Sequence, residues 1–280
     1  MSASYFSIFD EQLADLEGAP WQEVDRLYIA FATLDDDGQL ANIEIDGSTD
    51  EADARIREVV DAYRAARPDG EVFISSNFGE DEMDPRYLRA AEDPGEFADS
   101  VVAFLQEYDL DGYDMDWETH QINDYGDELR SLLGSVSGAF LESDLTPRGR
   151  HFQVTATIWP GVHDPDLVGS LDGLVDGINL MTYGPSDHYD LVGNAGKYVE
   201  AGFPYEKMLA GVESEFGYDN AGGVDTEESV AAKAQFVRDN NLMGMFSWRL
   251  DNDYRTEDGE TEGGPPTYQV AGWVYDEMGK

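Results

Sequence analysis

The chain has 280 residues, 41% hydrophobic and 12% aromatic, with 60 acidic against 17 basic side chains and a formal net charge of −43. That is enough apolar material for a sizeable core in one domain spanning residues 1–280, while so negative a surface repels nucleic-acid phosphates and anionic membranes and argues against both as partners. The chain has no cysteine, which excludes disulfides and thiolate metal sites.

Most of the acidic excess must lie on the surface, because unpaired buried acids are costly. At ~1 M salt the Debye length is roughly 3 Å, and self-repulsion is largely screened. The composition therefore points to a high-salt habitat. The start of the chain, Met1-Ser2-Ala3-Ser4-Tyr5, leads almost directly into an apolar stretch, with no basic region and no signal-peptide core. Either the protein stays inside the cell, or a leader and flanking domains lie outside this sequence.

Short β-rich runs are expected at residues 5–9, 27–33, 72–76, 112–117, 153–158, 177–183, 208–212 and 244–248. Amphipathic helical stretches lie between them at 51–67, 94–108, 126–141, 190–201 and 227–240, and a closing helix is expected at 268–278. Parallel strands need crossover connections, so eight strands alternating with helices predict an α/β fold, a single (β/α)₈ barrel. A doubly wound open sheet is the runner-up, but no Gly-x-Gly-x-x-Gly follows the first strand. About thirty residues separate the last two strands, too few for an insertion domain. The loop 251–266, rich in acid and glycine, reads as solvated.

The fourth expected strand carries the most informative run, Asp111-Gly-Tyr-Asp-Met-Asp-Trp-Glu118. Side chains alternate across a strand, so Asp114, Asp116 and Glu118 share one face while Tyr113, Met115 and Trp117 share the other. Three acids on one face repel unless they share protons or donors. Paired carboxylates are the usual equipment for cleaving glycosidic bonds, and catalytic residues of such barrels sit at the C-terminal strand ends, where Glu118 falls. Asp111 has the opposite parity and reads as structural.

These residues resemble glycoside hydrolase family 18, the family of many chitinases. Its Asp-x-x-Asp-x-Asp-x-Glu signature stands complete as Asp111, Asp114, Asp116 and Glu118, and residues 97–110 look like the helix that leads into it. Met181-Thr182-Tyr183 is similar to the family's sixth-strand Met-x-Tyr. The run from Met245 through Trp248 to Asp253 is similar to its eighth-strand stretch, and Ala30-Phe31-Ala32 to its second. There are departures. Gly184 stands where the family often has Asp. Ser75-Ser76-Asn77-Phe78-Gly79 only loosely matches a Ser-x-Gly-Gly turn. Gly211-Val212-Glu213-Ser214-Glu215 lacks the usual proline and aromatics.

The resemblance implies a retaining, substrate-assisted hydrolase of N-acetylglucosamine polymers. Glu118 is the implied acid and later base. Asp116 orients the substrate's acetamido N–H and shares a proton with Asp114. Tyr183 donates to the acetamido oxygen. Trp248 is the expected stacking platform, Met181, Tyr5 and Phe31 the expected pocket walls, and Trp159 an outer subsite. Glu213 and Glu215 are open to sugar hydroxyls, but in so acidic a chain a solvated role is the ordinary reading. The implied activity is that of an endo-acting chitinase. Alternatives are an endo-β-N-acetylglucosaminidase acting on N-glycans and, in another class, an inactive chito-oligosaccharide-binding lectin.

Nothing points to a cofactor or metal. His120, His151, His163 and His188 show no zinc-type pairing, no Gly-x-Ser-x-Gly occurs, and Asp35-Asp36-Asp37-Gly38 lacks the full ligand spacing of a calcium loop. Chitin or a GlcNAc-containing oligosaccharide is the expected partner, and the protein is expected to be a monomer.

Overall fold

A computed structural model of the protein describes all residues except 11, 12, 15, 78, 79, 186–189, 216–222, 254–265 and 280, and the side chains of 80–82. His188, Phe78, Gly79 and most of the acidic loop 251–266 lie outside the described residues. The strands are β1 (Ser2–Ser7), β2 (Arg26–Leu34), β3 (Leu40–Asn42), β4 (Glu71–Ser76), β5 (Gly112–Met115), β6 (Gln153–Ile158), β7 (Gly177–Leu180), β8 (Met208–Glu213) and β9 (Gly244–Trp248). All except β3 pair in parallel, and β1 bonds to both β2 and β9, so eight strands close into a barrel.

The helices are α1 (Thr49–Ala66), α2 (Glu80–Ala90), α3 (Pro94–Glu107), α4 (Gly126–Glu142), α5 (Pro165–Gly169), α6 (Leu191–Glu200), α7 (Glu227–Asn240) and α8 (Gln269–Met278). Their starts follow from local chemistry. Asp93 accepts from the Glu96 N–H ahead of Pro94, and Thr226 and Ser229 form a reciprocal capping box. Helix α3 then buries Phe97, Val101, Phe104 and Leu105, spaced at three to four residues, against the outside of the barrel. The link from β8 to β9 contains α7 and leaves no room for an insertion domain.

The sequence reading missed β3, α2 and α5. Strand β3 is only three residues long and runs antiparallel along the end of β2, with Asp35–Asp37 forming the exposed turn between them. Helix α2 carries Pro85, a residue that argues against a helix interior. Strands β5 and β7 are shorter than expected, because residues 116–118 and 181–183 run beyond the ladder into the barrel mouth.

The inward-facing positions form layers. At the N-terminal end Arg26 fills the barrel axis. It pairs with Glu71, donates to Gln153 at 2.9 Å, and lies over the Phe73 ring at 4.4 Å. Gly112 is required beside it, since a Cβ there would stand 2.4 Å from the Phe73 ring. Asp111 faces the other way, as its parity predicts. It is 1% exposed and accepts from Arg64, from Arg148 Nε at 2.7 Å and from the Val72 N–H at 2.9 Å.

Candidate active site

Above that plug, Asp114 sits fully buried at the centre of the barrel and receives hydrogen bonds from four other strands, β1, β4, β6 and β7. The hydroxyls of Tyr5 (2.9 Å), Ser75 (2.7 Å), Thr155 (2.7 Å) and Thr157 (3.1 Å) donate to its carboxylate, as does the Asn179 amide at 3.1 Å. Burial raises its pKa, and the bonds from Thr155, Ser75, Tyr5 and Thr157 oppose that rise. Tyr5 is itself stacked on Tyr28 at 4.7 Å, which fixes its hydroxyl under the carboxylate.

Asp116 lies one step nearer the mouth, buried at 4% exposure, and Glu118 one step further, half-buried. The Asn77 amide, just past β4, donates to Asp116 Oδ2 and to Glu118 Oε1, each at 3.1 Å. Asp116 Oδ1 is buried without a hydrogen-bond partner. Asp114 meanwhile accepts from five donors, and its charge is one of those acting on Asp116. Burial first, then the charges of Glu118 and Asp114, push the Asp116 pKa well above the usual carboxylate range. Asp116 thus lies between two other carboxyl groups and holds its proton more tightly than an ordinary aspartate. Trp117 points outward, between Tyr87 (4.6 Å) and Tyr125 (5.6 Å), and donates its indole N–H to Asp84 at 2.6 Å.

The other expected site residues join one aromatic cluster around this column. Tyr5, Phe31, Met181 and Tyr183 are buried in it, and Trp159 and Trp248 pack against it half-buried. Trp248 lies 5.7 Å from Phe31 at 22° and 5.4 Å from Tyr5. Tyr183 packs edge-on against Phe246, and a Cβ on Gly211 would reach 3.0 Å from its ring. Trp159 contacts the His120 ring at 5.0 Å. Gly184 adopts φ 80°, a conformation side-chain-bearing residues avoid, and its N–H donates to Asp225 at 2.9 Å. An Asp at this position would be strained.

Glu213 and Glu215 are not solvated, which corrects their ordinary reading. Glu215 accepts from the Trp248 indole N–H at 2.8 Å, from Arg249 Nη2 at 3.0 Å and from Asn252 at 3.0 Å, so it fixes the indole plane. Glu213 is fully buried at the end of β8. One oxygen accepts from the Glu215 N–H and the other has no partner. Burial, aided by Glu215 and Asp225 and opposed by the Glu215 N–H and Lys233, pushes its pKa up to about 9. Between its ordinary 4.5 and about 9, the folded protein holds a proton that the unfolded chain has lost. Stability from this group is thus complete below 4.5 and falls as pH rises toward 9. Glu213→Gln, which cannot ionise, is expected to melt with the parent at pH 4 and above it at pH 8. A melting difference that is the same at both pH values contradicts this.

Sequence reasoning did not single out Asn77, Ser75, Thr155 or Thr157. Their signal was the recurrence of small polar residues at inward parity within buried strands. No group of three or more side chains suited to a metal ion occurs among the described residues.

Carboxyl groups converging at the C-terminal mouth of a (β/α)₈ barrel define the class: a glycoside-hydrolase architecture. The family model for glycosyl hydrolases family 18 matches residues 2–213, and the chain belongs to that family as a chitinase-like glycoside hydrolase. It is 24% identical to an endochitinase of Brugia malayi over 251 residues, covering 86% of this chain and 47% of that protein. It is 31% identical to an endochitinase of Manduca sexta over 124 residues, 40% of this chain and 20% of that one. The chain thus matches half or less of either relative's length. Among solved structures, it is similar to the family 18 chitinase of Cycas revoluta in complex with (GlcNAc)3, with a TM-score of 0.79 at 14% identity over 99% of each chain. The class V chitinase of Nicotiana tobaccum gives 0.78 at 18% identity, over 100% of this chain and 99% of that one. A chitinase-like agglutinin of Robinia pseudoacacia gives 0.74 at 15%, over 99% and 98%. At these identities the likeness is one of fold.

Proposed function

We propose that residues 1–280 act as one catalytic domain, an endo-acting, retaining chitinase that hydrolyses β-1,4-linked N-acetylglucosamine polymers. The observation that carries the reading is the Asp114–Asp116–Glu118 column, whose middle member has its pKa raised by burial and by the acid on either side and whose outermost member is half-buried at the mouth. Glu118 protonates the leaving glycosidic oxygen. The carbonyl oxygen of the sugar's own 2-acetamido group attacks the anomeric carbon and forms an oxazolinium ion. Asp116 Oδ1, which has no partner within the protein, orients the acetamido N–H and stabilises its developing positive charge. Tyr183 donates to the acetamido oxygen. Glu118 then takes a proton from water, whose oxygen bonds the anomeric carbon from the side the leaving group vacated while the bond from that carbon to the oxazolinium oxygen breaks, which restores both the acetamido group and the anomeric configuration. Trp248, braced by Glu215, offers an indole face to a sugar ring, and Met181, Tyr5, Phe31 and Trp159 complete the walls.

The test is product analysis after incubation with N-acetylglucosamine hexamer. Internal cleavage with β-anomeric products is expected, and no cleavage of the cellulose hexamer, which lacks the acetamido nucleophile. Release of glycans from an N-glycoprotein with the hexamer untouched would replace this reading by the endo-β-N-acetylglucosaminidase one. Binding without cleavage would replace it by a lectin, the class of the Robinia neighbour.

We also propose that the protein works in concentrated salt. Of 17 basic residues, Arg26, Arg64, Arg67, Arg148 and Arg150 are held in ion pairs around the N-terminal end of the barrel, and pairing leaves the acidic excess of the chain in place. The melting temperature is expected to rise between ~0.1 M and ~3 M salt as self-repulsion is screened. A flat profile refutes it.

A further inference from the structure

We propose that Asn77 is a positioning residue that ties Glu118 to Asp116 through one amide nitrogen and sets the pH range over which the pair works; this rests on the function proposed above. The geometry is specific. The Asn77 amide nitrogen carries two hydrogens, and Nδ2 stands 3.1 Å from Asp116 Oδ2 and 3.1 Å from Glu118 Oε1. Each hydrogen therefore serves a different carboxyl group. Asn77 follows Ser76 at the end of β4, and Ser75, the preceding inward residue, donates to Asp114. One strand end thus supports all three acids.

Two consequences follow. First, with Oδ2 engaged by the amide, Asp116 presents Oδ1, its oxygen without a partner, as the one left for a substrate group. Asp114, one step deeper, accepts from five donors of its own. Second, two neighbouring carboxyl groups repel when both ionise, and a donor shared between them reduces that cost. The other titratable groups interacting with Asp116 are Asp114 on its own segment, Tyr5 from β1, Tyr87 from α2 and Tyr113 from β5. Burial pushes all three tyrosines upward, so they stay neutral through the working range. The Asn77 amide is a donor common to both carboxyl groups, and its bond lowers the Asp116 pKa against the burial and the charges that raise it.

The test uses Asn77→Ala and Asn77→Ser with chitin hexamer across pH. Loss of a hydrogen bond to a charged group predicts a roughly 10- to 100-fold fall in kcat for Asn77→Ala. KM should stay within about threefold, because the amide does not touch substrate. The alkaline limb of kcat should move up by about one pH unit, since the ionised pair has lost its donor. Asn77→Ser, with a single hydroxyl hydrogen, should fall between the two. Carboxyl NMR titration of Asp116 in parent and Asn77→Ala reads the same link without turnover, and an upward shift is expected. An active parent whose variants keep its pH profile and its Asp116 titration overturns this proposal and leaves the chitinase reading standing. An inert parent in which Asn77→Ala still shifts the titration supports the link and overturns the chitinase reading. A variant that loses only melting temperature marks Asn77 as merely structural and overturns the proposal.

Discussion

Glu118→Gln is expected to lower kcat on chitin oligomers by roughly 10²–10⁴-fold while leaving KM and the melting temperature close to the parent's. The amide has nearly the same shape as the acid and keeps an oxygen that can accept from Asn77 Nδ2, so the mouth of the barrel need not rearrange. What disappears is the proton for the leaving oxygen and the base for water. Both half-reactions suffer, and neither Asp116 nor Asp114 can substitute. Asp116 is buried and engaged toward Asn77, and Asp114 lies at the bottom of the column under five donors. Half-burial of Glu118 keeps the structural cost of the change small, within the range of surface substitutions. Equal turnover by parent and variant would remove Glu118 from the mechanism. Equal inactivity with intact binding of the oligomer would assign the protein to the lectin class.

Much of this site was legible because strand alternation is a strong constraint. Once residues 112–118 are extended, the parity of Asp114, Asp116 and Glu118 follows, and so does the outward course of Trp117. The chain order of the barrel was legible for a related reason: eight apolar runs separated by helices have few parallel solutions. What escaped the sequence depends on contacts between residues far apart in the chain. Asp114 is satisfied by Tyr5, Ser75, Thr155, Thr157 and Asn179, and no local pattern tells which hydroxyls will meet in the barrel. Asn77 was hidden in a turn judged only by its loose match to glycines. Glu213 and Glu215 were read as solvated because most acids here are. Two of the chain's few cations, Lys233 and Arg249, reach back to that corner, with Lys233 bound to Asp225 at 2.8 Å and Arg249 to Glu215. In a chain of this composition, the position of a cation says more about a buried acid than the acid's own neighbours do.

The opposite outcome is expected seven residues earlier in the same signature. Asp111→Ala should cost about 3 kcal/mol of stability and leave the turnover of the folded enzyme unchanged. Asp111 is 1% exposed and shares its two oxygens among Arg64, Arg148 and the Val72 N–H. Removing it takes the carboxylate from three guanidinium groups, and the side chains of two of them, Arg64 and Arg148, are only 13% and 11% exposed. Breaking a buried pair typically costs about 3–5 kcal/mol. The lower figure applies here, because Arg148 keeps Asp109 at 2.8 Å and Arg64 keeps the Gly70 carbonyl. For a chain of this size about 3 kcal/mol corresponds to a melting temperature lower by about 5 °C. High salt should rescue little of it, since buried pairs are weakly screened. Activity should survive at temperatures well below melting, because Asp111 precedes β5 at the N-terminal end of the barrel and faces away from Asp114. Thermal melts and kcat on the same preparation check both halves. If Asp111→Ala loses turnover while keeping its melting temperature, Asp111 belongs with the catalytic acids, and the parity argument that separates it from Asp114, Asp116 and Glu118 is wrong.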